Sequence, residues 1–333
     1  LMVIISGTLF YLTTGNKQFS LWDYLKKRIP RLVAPVWLFL AFFFIVIYLL
    51  CMLTGQTYPY LPNASSNPIV NSFMFRGGLG YVYIIRVFLI TAILSPFLLK
   101  LYRSLQTEKR FLTVLAISYV TYEIVLKLLG DRSLSPPLFA IFIKQYLMLC
   151  VPYGCLVGLG MVLTRLSQRF LSSIIFASFA IFLGMFTHFF LLAKKLGRPA
   201  VELVQTQTYK YPPTIYYLSY AIFASFLLYL VIDYGMKRYG DRVITQKSWV
   251  DSLVFVSASS LWVYLWHVFW LTAWRLFVHT RIPLTKNFVI TFFVIAFLSI
   301  VTTYLQKWLF TRLIKETKIG QQNSDWITIL FLK

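Results

Sequence analysis

Residues 33–53 carry the sequence VAPVWLFLAFFFIVIYLLCML, a run of 21 residues without one charged side chain. About 20 consecutive apolar residues are enough for an α-helix to cross the hydrocarbon core of a bilayer. A helix satisfies its own backbone hydrogen bonds, which lipid cannot do. This stretch therefore predicts a transmembrane helix.

Similar runs recur along the 333-residue chain. They predict an all-α fold, a polytopic transmembrane helical bundle of about nine spans. Residues 1–318 would form a membrane-embedded domain and residues 319–333 a short C-terminal tail, too short to span. The first run is also short for a span of about 20 residues. The predicted spans are residues 1–13, 33–53, 80–101, 111–129, 138–163, 170–192, 214–235, 251–278 and 286–310.

The composition fits a chain that lies mostly in lipid. Hydrophobic residues make up 59% of it and charged residues only 13%, whereas soluble domains are about 25% charged. The formal net charge of +22 would suggest a nucleic-acid partner in a soluble protein. Here the basic residues cluster in short loops between apolar runs, so we expect membrane lipid as a partner and no nucleic acid.

Lysine and arginine are unequally shared between alternate loops. The loops after the first, third, fifth, seventh and ninth runs hold more than twice as many as the other loops. Basic loops face the cytoplasm. We therefore predict a multi-pass protein of the cell membrane, of the bacterial cytoplasmic kind, with the basic turn at residues 26–31 inside.

The three cysteines indicate neither a metal centre nor a disulfide. Cys150 and Cys155 share one run, about 7.5 Å apart along a helix axis, which is too far for a disulfide. No Cys/His spacing resembles a zinc site. We predict no metal and interpret these cysteines, like Gly154, Gly158 and Gly160 beside them, as packing residues.

Ionisable side chains inside membrane spans are costly and often functional. In the orientation above, nearly all of those in this chain lie in the outer half of the bilayer. Their clustering predicts a polar cavity that opens outward. They are Arg86, Glu123, Lys127, Lys144, His188, His267 and Arg275.

Each of these residues also has a structural interpretation. Glu123 and Lys127 are four residues apart and can pair with each other, which is slightly favoured for them. Lys127, Lys144 and Arg275 can extend toward the outer interface. Arg86 either holds an anionic or hydroxyl-rich ligand or pairs with Glu123 between helices.

His267 ends the stretch SLWVYLWH at residues 260–267, near the middle of its predicted span. A neutral imidazole is the usual general base in enzymes. A lone histidine on an apolar helix is more often a hydrogen-bonded packing residue. The sequence therefore makes His267 a candidate catalytic base and leaves the packing interpretation open.

The first predicted cytoplasmic loop, residues 19–35, reads FSLWDYLKKRIPRLVAP. Its charge pattern alone favours an amphipathic stretch that anchors the next span at the interface. The alternative is an anion clamp, because Arg28 and Arg31 are three residues apart and could grip phosphate groups.

Several of these pieces, taken in order, resemble the acyltransferase-3 family of integral membrane O-acyltransferases. No piece is specific alone, but together they cover nearly the whole chain. The resembling segments are Ile5-Ser6-Gly7-Thr8-Leu9, residues 19–35 with Arg28 and Arg31, Tyr211-Pro212-Pro213, and residues 260–267 with Tyr264 and His267.

The resemblance implies a fold of about ten membrane helices. It also implies transfer of an acyl group, often acetyl, from acyl-CoA as co-substrate to a carbohydrate acceptor, with no bound cofactor. Arg28 and Arg31 would then lie near the donor phosphates. The residues expected near the acceptor are Arg86, Glu123, Lys144 and Tyr264.

One feature of the family is missing from this sequence. The family's first helix carries a basic residue and a histidine that acts in catalysis, whereas this chain begins at Leu1, in what resembles the second helix. We therefore hypothesise that the chain is an N-terminally truncated or misannotated product that lacks the main catalytic histidine, which leaves its activity in this form open. His267 remains as the weaker candidate base.

The leading functional hypothesis is a membrane O-acyltransferase acting on a cell-surface polysaccharide or a lipid-linked sugar. A transporter or flippase of lipid-linked glycans would also need an outward polar cavity. Such transporters often show inverted repeats and broken helices, and neither is evident in the sequence. A structural membrane subunit is a third possibility.

Overall fold

The structure is a computed structural model that describes residues 1–15, 17–18, 20–61, 67–79, 84–129, 148–210, 213–245, 247–278 and 287–332. Over these ranges the chain is helical and contains no β-strand, which confirms the all-α prediction. One isolated bridge pairs Lys210 with Pro213.

The described residues form fourteen α-helices. In chain order they are α1 (Met2–Thr14), α2 (Leu21–Thr54), α3 (Pro68–Phe73), α4 (Ile84–Leu105), α5 (Glu108–Leu129), α6 (Met148–Val162), α7 (Gln168–Lys195), α8 (Ala200–Val204), α9 (Ile215–Thr245), α10 (Lys247–Ala258), α11 (Ser260–Ala273), α12 (Phe288–Glu316), α13 (Lys318–Gln322) and α14 (Ser324–Ile327). Short 3₁₀ turns cover Leu163–Arg165 and Thr206–Tyr209, and π-helical turns cover Trp274–Val278 and Thr328–Leu332.

Within the described ranges, eight segments are long and apolar enough to cross a membrane, and α1 is a shorter apolar helix of 13 residues. This confirms the polytopic bundle. The eight segments are Leu21–Thr54, Ile84–Leu105, Glu108–Leu128, Met148–Arg165, Gln168–Lys195, Ile215–Arg238, Ser260–Val278 and Phe288–Glu316.

Helix ends differ from the predicted spans in a systematic way. The basic stretch predicted as a loop is helical from Leu21 and continues without interruption into the span. Helix α9 likewise runs past the apolar segment to Thr245. Apolar character marks the lipid layer, and polar residues outside it still extend a helix because most of them are good helix formers.

The chain divides into two compact units. The first unit contains residues Leu1–Leu25 and Val87–Gly240, and the second contains residues Lys26–Arg86 and Asp241–Lys333. Both units are therefore assembled from segments that are distant in sequence.

Helix α6 is the centre of the first unit. Most of its residues are buried, and three glycines bring it close to three different neighbours. A Cβ atom on Gly160 would collide with the backbone of Ile4, one on Gly158 would meet Leu115 at 2.6 Å, and one on Gly154 would meet Leu94 at 3.4 Å. Small residues permit such close helix packing in membranes, so the packing interpretation of these glycines is confirmed.

Helix α1 packs on α6 through a glycine of its own. A Cβ atom on Gly7 would collide with the carbonyl group of Val157. Next to it, the hydroxyl group of Thr8 donates a hydrogen bond to the carbonyl oxygen of Gly160 at 2.8 Å. The Ser-Gly-Thr stretch near the beginning of the chain is therefore a helix-packing motif.

The second unit is built on aromatic contacts between α2 and α11. The rings of Phe42 and Trp266 meet edge to face at 5.6 Å, and Phe43 approaches Phe269 at 6.3 Å. The indole N–H of Trp37 donates to the carbonyl oxygen of Phe73 at 3.0 Å, which fastens α3 to α2.

The segment after α2 folds onto the end of that helix. Tyr58 lies edge to face with Tyr48 at 5.4 Å and with Tyr60 at 5.7 Å. Burial in this aromatic cluster, reinforced by the neighbouring Tyr60, raises the pKa of Tyr58 to about 12. Tyr58 therefore remains protonated and acts as a packing group.

Candidate functional site

Tyr264 and His267 lie one helical turn apart on α11. Their rings are nearly parallel, with centroids 6.4 Å apart and an angle of 28° between the planes. Both side chains are half-buried. The structure thus brings the candidate base into contact with a phenol, inside a segment long enough to span the membrane.

The backbone is irregular at both ends of α11. Ser259, between α10 and α11, departs from helical geometry with φ −104° and ψ 8°, although hydrogen bonds still link it to Phe255 and Val263. At the other end the helix widens into the π turn Trp274–Val278. Such π turns are frequent at functional sites, so the irregularity supports the choice of this helix as the site.

Arg28 and Arg31 lie in the first turns of α2, where a spacing of three residues places them on one side of the helix. Both side chains are exposed. In the described part of the chain, neither guanidinium group pairs with a carboxylate. The two groups are therefore free to bind an external anion, as the clamp interpretation requires.

Arg86 occupies the first turn of α4 and is 91% buried, with an exposed fraction of 9%. An arginine remains charged in proteins, and charge inside a membrane segment is retained when it serves binding or pairing. Arg86 belongs to the second unit, together with Arg28, Arg31, Tyr264 and His267.

Glu123 belongs to the first unit and has a structural role as a helix cap. One oxygen of its carboxylate accepts a hydrogen bond from the hydroxyl group of Tyr119 and another from the backbone N–H of Ile215, both at 2.6 Å. Ile215 is the first residue of α9. The carboxylate therefore caps the positive end of that helix.

The ion pair predicted between Glu123 and Lys127 is not formed among the described residues. Lys127 is exposed near the end of α5, whereas the carboxylate of Glu123 accepts hydrogen bonds from Tyr119 and Ile215. A backbone N–H at a helix start offers a fixed, charge-assisted bond, whereas an exposed lysine pair contributes little.

The remaining predicted residues are scattered. Arg275 is exposed in the π turn, and His188 is exposed on α7, the least buried of the span-length helices. Lys144 lies outside the described residues, as does the Tyr211-Pro212 part of the resembling segment. Within the described ranges, no three His, Cys, Asp or Glu side chains are grouped so that they could hold a metal ion.

Sequence reasoning missed a polar hub in the first unit, centred on Arg165. Its guanidinium group donates to the hydroxyl groups of Tyr11 at 2.7 Å and Tyr102 at 2.8 Å, and lies 3.4 Å from the carboxylate of Glu108. Three parts of the chain that are distant in sequence meet here, around Tyr11, residues 102–108 and Arg165, so no local motif could have revealed it. The hub joins the ends of α1, α4 and α6 to the start of α5.

Arg103, in the last turn of α4, forms hydrogen bonds with carbonyl groups at the end of α1. Its guanidinium group donates to the carbonyl oxygens of Gly15 at 2.7 Å and Lys17 at 2.9 Å. Carbonyl groups at a helix end lack intrahelical partners, and a cation there also stabilises the helix dipole. The basic residues of this region therefore hold helix ends in place.

Comparison with known proteins agrees with this architecture. The family model Acyl_transf_3, described as an acyltransferase domain, matches residues 1–308. No curated protein and no solved structure matches the chain. The family match extends from α1 to within α12, and it includes the candidate residues of both units. The chain belongs to the acyltransferase-3 family and is a multi-pass membrane acyltransferase.

Proposed function

We propose that this acyltransferase moves an acetyl group from acyl-CoA to a hydroxyl group of a cell-surface polysaccharide or a lipid-linked sugar. The observation that carries the proposal is the half-buried pair of Tyr264 and His267 on one membrane helix of an acyltransferase. The pair offers a proton acceptor and a hydroxyl donor side by side, which acyl transfer to an alcohol requires.

In the proposed reaction, an imidazole nitrogen of His267 accepts the proton of the sugar hydroxyl group. The sugar oxygen attacks the carbonyl carbon of the thioester, and a tetrahedral oxyanion forms. When this intermediate collapses, the carbon–sulfur bond breaks and the imidazolium returns the proton to the sulfur of CoA. The products are the O-acylated sugar and free CoA, so atoms and protons balance.

The donor is proposed to bind through its phosphate groups at Arg28 and Arg31. Both guanidinium groups are exposed and lie on one side of α2. Arginine suits phosphate because its planar group can form two parallel hydrogen bonds. The co-substrate then needs no further cofactor, since the thioester itself supplies the activated acyl group.

We propose Arg86, Glu123, Lys144 and Tyr264 each as an acceptor-binding residue, as the family resemblance implies. A buried guanidinium such as that of Arg86 can donate to several sugar hydroxyl groups at once. Glu123 retains one carboxylate oxygen that is not used in capping α9. We place this reaction in the cell membrane, with the donor on the cytoplasmic side.

The test uses the full chain in sealed vesicles with acetyl-CoA labelled in the acetyl group. Wild-type protein is expected to transfer label to added glycan. His267→Ala should reduce kcat by about 10²–10⁴-fold, the usual contribution of a general base, while the KM for acetyl-CoA stays unchanged. His188→Ala serves as the matched control, because His188 is exposed on α7.

A second measurement, the KM for acetyl-CoA, tests the proposed donor site. Arg28→Gln with Arg31→Gln should raise the KM for acetyl-CoA and leave the rate at saturating donor unchanged. Label transfer that is equal in wild type and His267→Ala would remove His267 from the reaction. Glycan that crosses the vesicle membrane without label would instead support the transporter hypothesis.

A further inference from the structure

An open groove of about 580 Å³ lies within the second unit, between α10 and the last turns of α12. Its volume is in the range of about 300–1,000 Å³ that ligand pockets occupy. Aromatic and basic side chains line it together, and we call it the basic groove. The residues that line it include Phe255, Tyr304, Lys307, Trp308, Thr311 and Lys315.

The basic groove carries a net positive charge. Arg312 is neutralised inside it, because Nε of its guanidinium group donates to both carboxylate oxygens of Glu316, at 2.8 Å each. Lys307 and Lys315 contribute two further charges. Neither of their ammonium groups forms an ion pair among the residues that the structure describes. The groove therefore favours an anionic ligand.

Lys307 is held at the wall of the groove by an aromatic ring. Its Nζ lies 5.7 Å from the centroid of the Phe255 ring on α10, and that ring meets the ring of Tyr304 edge to face at 5.9 Å. The Lys307 side chain is half-buried. Removing a charge from water is costly unless the charge is paired, so a bound anion would supply the partner that Lys307 lacks.

The groups that can bind an anion form one row on α12. Lys307, Thr311 and Lys315 are spaced by four residues, which places them next to one another along one side of the helix. The hydroxyl group of Thr311 lies between the two lysines and can donate a hydrogen bond. A phosphate group beside Thr311 would be within reach of both flexible lysine side chains.

The sequence of α12 favours a lipid as the source of the phosphate. From Phe288 to Gln306 the helix has no charged side chain, which is a run of 19 residues. About 20 residues cross the hydrocarbon core of a bilayer, and the headgroups lie directly beyond it. Lys307 is the first charged residue after the run, so lipid phosphate groups are expected beside the basic groove.

The aromatic contacts favour a lipid over a nucleotide such as the acyl-CoA donor. The guanidinium group of Arg312 lies over the Trp308 ring at 5.6 Å, as Lys307 lies over Phe255. A nucleotide base that stacked in the groove would compete with these cations for the same rings. A lipid phosphate needs only the charges.

We propose that the basic groove binds the headgroup of an anionic membrane phospholipid, whose phosphate group lies between Lys307 and Lys315 beside Thr311. The glycerol part of the lipid then packs on Tyr304 and Trp308, which are 57% and 51% exposed. A zwitterionic lipid such as phosphatidylcholine fits less well, because its quaternary ammonium group would approach the same lysines.

The lipid site goes beyond the proposed function. The described residues that line the basic groove include none of those proposed for the donor, the acceptor or the general base. Failure of the lipid site would therefore leave the acyl-transfer proposal standing, and failure of acyl transfer would leave the lipid site standing.

The experiment titrates the full chain in detergent with phosphatidylglycerol or with phosphatidylcholine of identical acyl chains. Native mass spectrometry measures the bound lipid. Wild-type protein should bind phosphatidylglycerol more tightly. A lysine near an anionic lipid is worth about fivefold in affinity, so Lys307→Gln with Lys315→Gln should weaken phosphatidylglycerol about 25-fold and leave phosphatidylcholine unchanged.

A matched control removes the same charge elsewhere. Lys194 and Lys195 are exposed at the end of α7, and Lys194→Gln with Lys195→Gln should leave both affinities unchanged. Lys307→Arg keeps the charge and should retain most of the binding.

Glu316→Gln tests the sign of the effect. It releases Arg312 and adds one positive charge to the groove, so it should tighten phosphatidylglycerol by about fivefold. A gain in affinity cannot come from a failure to fold.

Three results would overturn the proposal. Equal affinities for the two lipids in the wild type would mean that the groove does not select an anion. An equal loss in the Lys307/Lys315 and Lys194/Lys195 variants would reduce the effect to net charge. Displacement of phosphatidylglycerol by equimolar acetyl-CoA or inorganic phosphate would identify a soluble anion as the occupant.

Discussion

The indole N–H of Trp266 on α11 donates a hydrogen bond to the side-chain oxygen of Gln306 on α12, at 2.8 Å. The amide nitrogen of the same glutamine donates to the carbonyl oxygen of Phe331. One polar side chain, 9% exposed in an apolar setting, therefore links two membrane spans and the C-terminal segment.

Replacing Gln306 by leucine should destabilise the protein by about 1–3 kcal/mol, because the half-buried donor Trp266 and the carbonyl oxygen of half-buried Phe331 lose their partner. Thermal unfolding in detergent measures the loss. Faster proteolysis of the C-terminal segment should accompany it. Gln322→Leu, at an exposed position after α12, is the control and should leave both readings unchanged; equal proteolysis of the two variants would contradict the anchoring role of Gln306.

Gly160→Ala should destabilise the first unit by about 1–3 kcal/mol, the usual result of overpacking. The added methyl group would meet the backbone of Ile4, which cannot move aside as a side chain can. Gly184→Ala on α7 is the matched control, because nothing lies within 4 Å of a Cβ atom there. Unfolding temperatures that fall equally in both variants would argue against the close contact of α1 and α6.

Glu123→Ala should lower stability by about 1–2 kcal/mol through loss of the cap on α9. Glu123→Gln should lower it less, because an amide oxygen can still accept from the N–H of Ile215. Glu202→Gln, on exposed α8, is the control for thermal unfolding. The KM for glycan then tests the proposed second role: a rise in Glu123→Gln supports acceptor binding, and an unchanged value limits Glu123 to the cap.

Arg165→Lys should cost about 1 kcal/mol, since an ammonium group cannot reach Tyr11, Tyr102 and Glu108 together. The estimate is at the low end because the Arg165 side chain is 46% exposed and solvent weakens its ion pair. Arg169→Lys, close by on exposed α7, is the control for denaturant unfolding. A cost that is equal for the two variants would contradict the hub.

The apolar runs predicted the membrane spans well, because every span needs about 20 consecutive apolar residues to cross the hydrocarbon layer. What they could not predict are the helix ends. Asp233 and Lys237 pair at 2.7 Å near the end of the apolar segment Ile215–Arg238, and such i, i+4 pairs stabilise a helix that continues past this segment to Thr245. Hydropathy indicates which residues contact lipid, so it does not predict the helical turns that lie outside the apolar segment.

The candidate site was predictable only residue by residue. Tyr264 and His267 each came from the family resemblance, and their arrangement, with ring centroids 6.4 Å apart, is known only from the structure. The pairing of Glu123 was predicted wrongly. Its true partner, the N–H of Ile215, is 92 residues away, and a backbone group leaves no trace in the sequence that would reveal such a contact.

The cap of Glu123 on α9 also constrains how the protein is made. Membrane helices emerge from the ribosome in order, so α5 enters the bilayer before the chain that contains Ile215 has been synthesised. Until then the carboxylate lacks the N–H of Ile215 as a hydrogen-bond partner, and an unpartnered charge inside a membrane segment is costly. Arrival of α9 supplies that partner, so a helix made later completes the hydrogen bonding of α5.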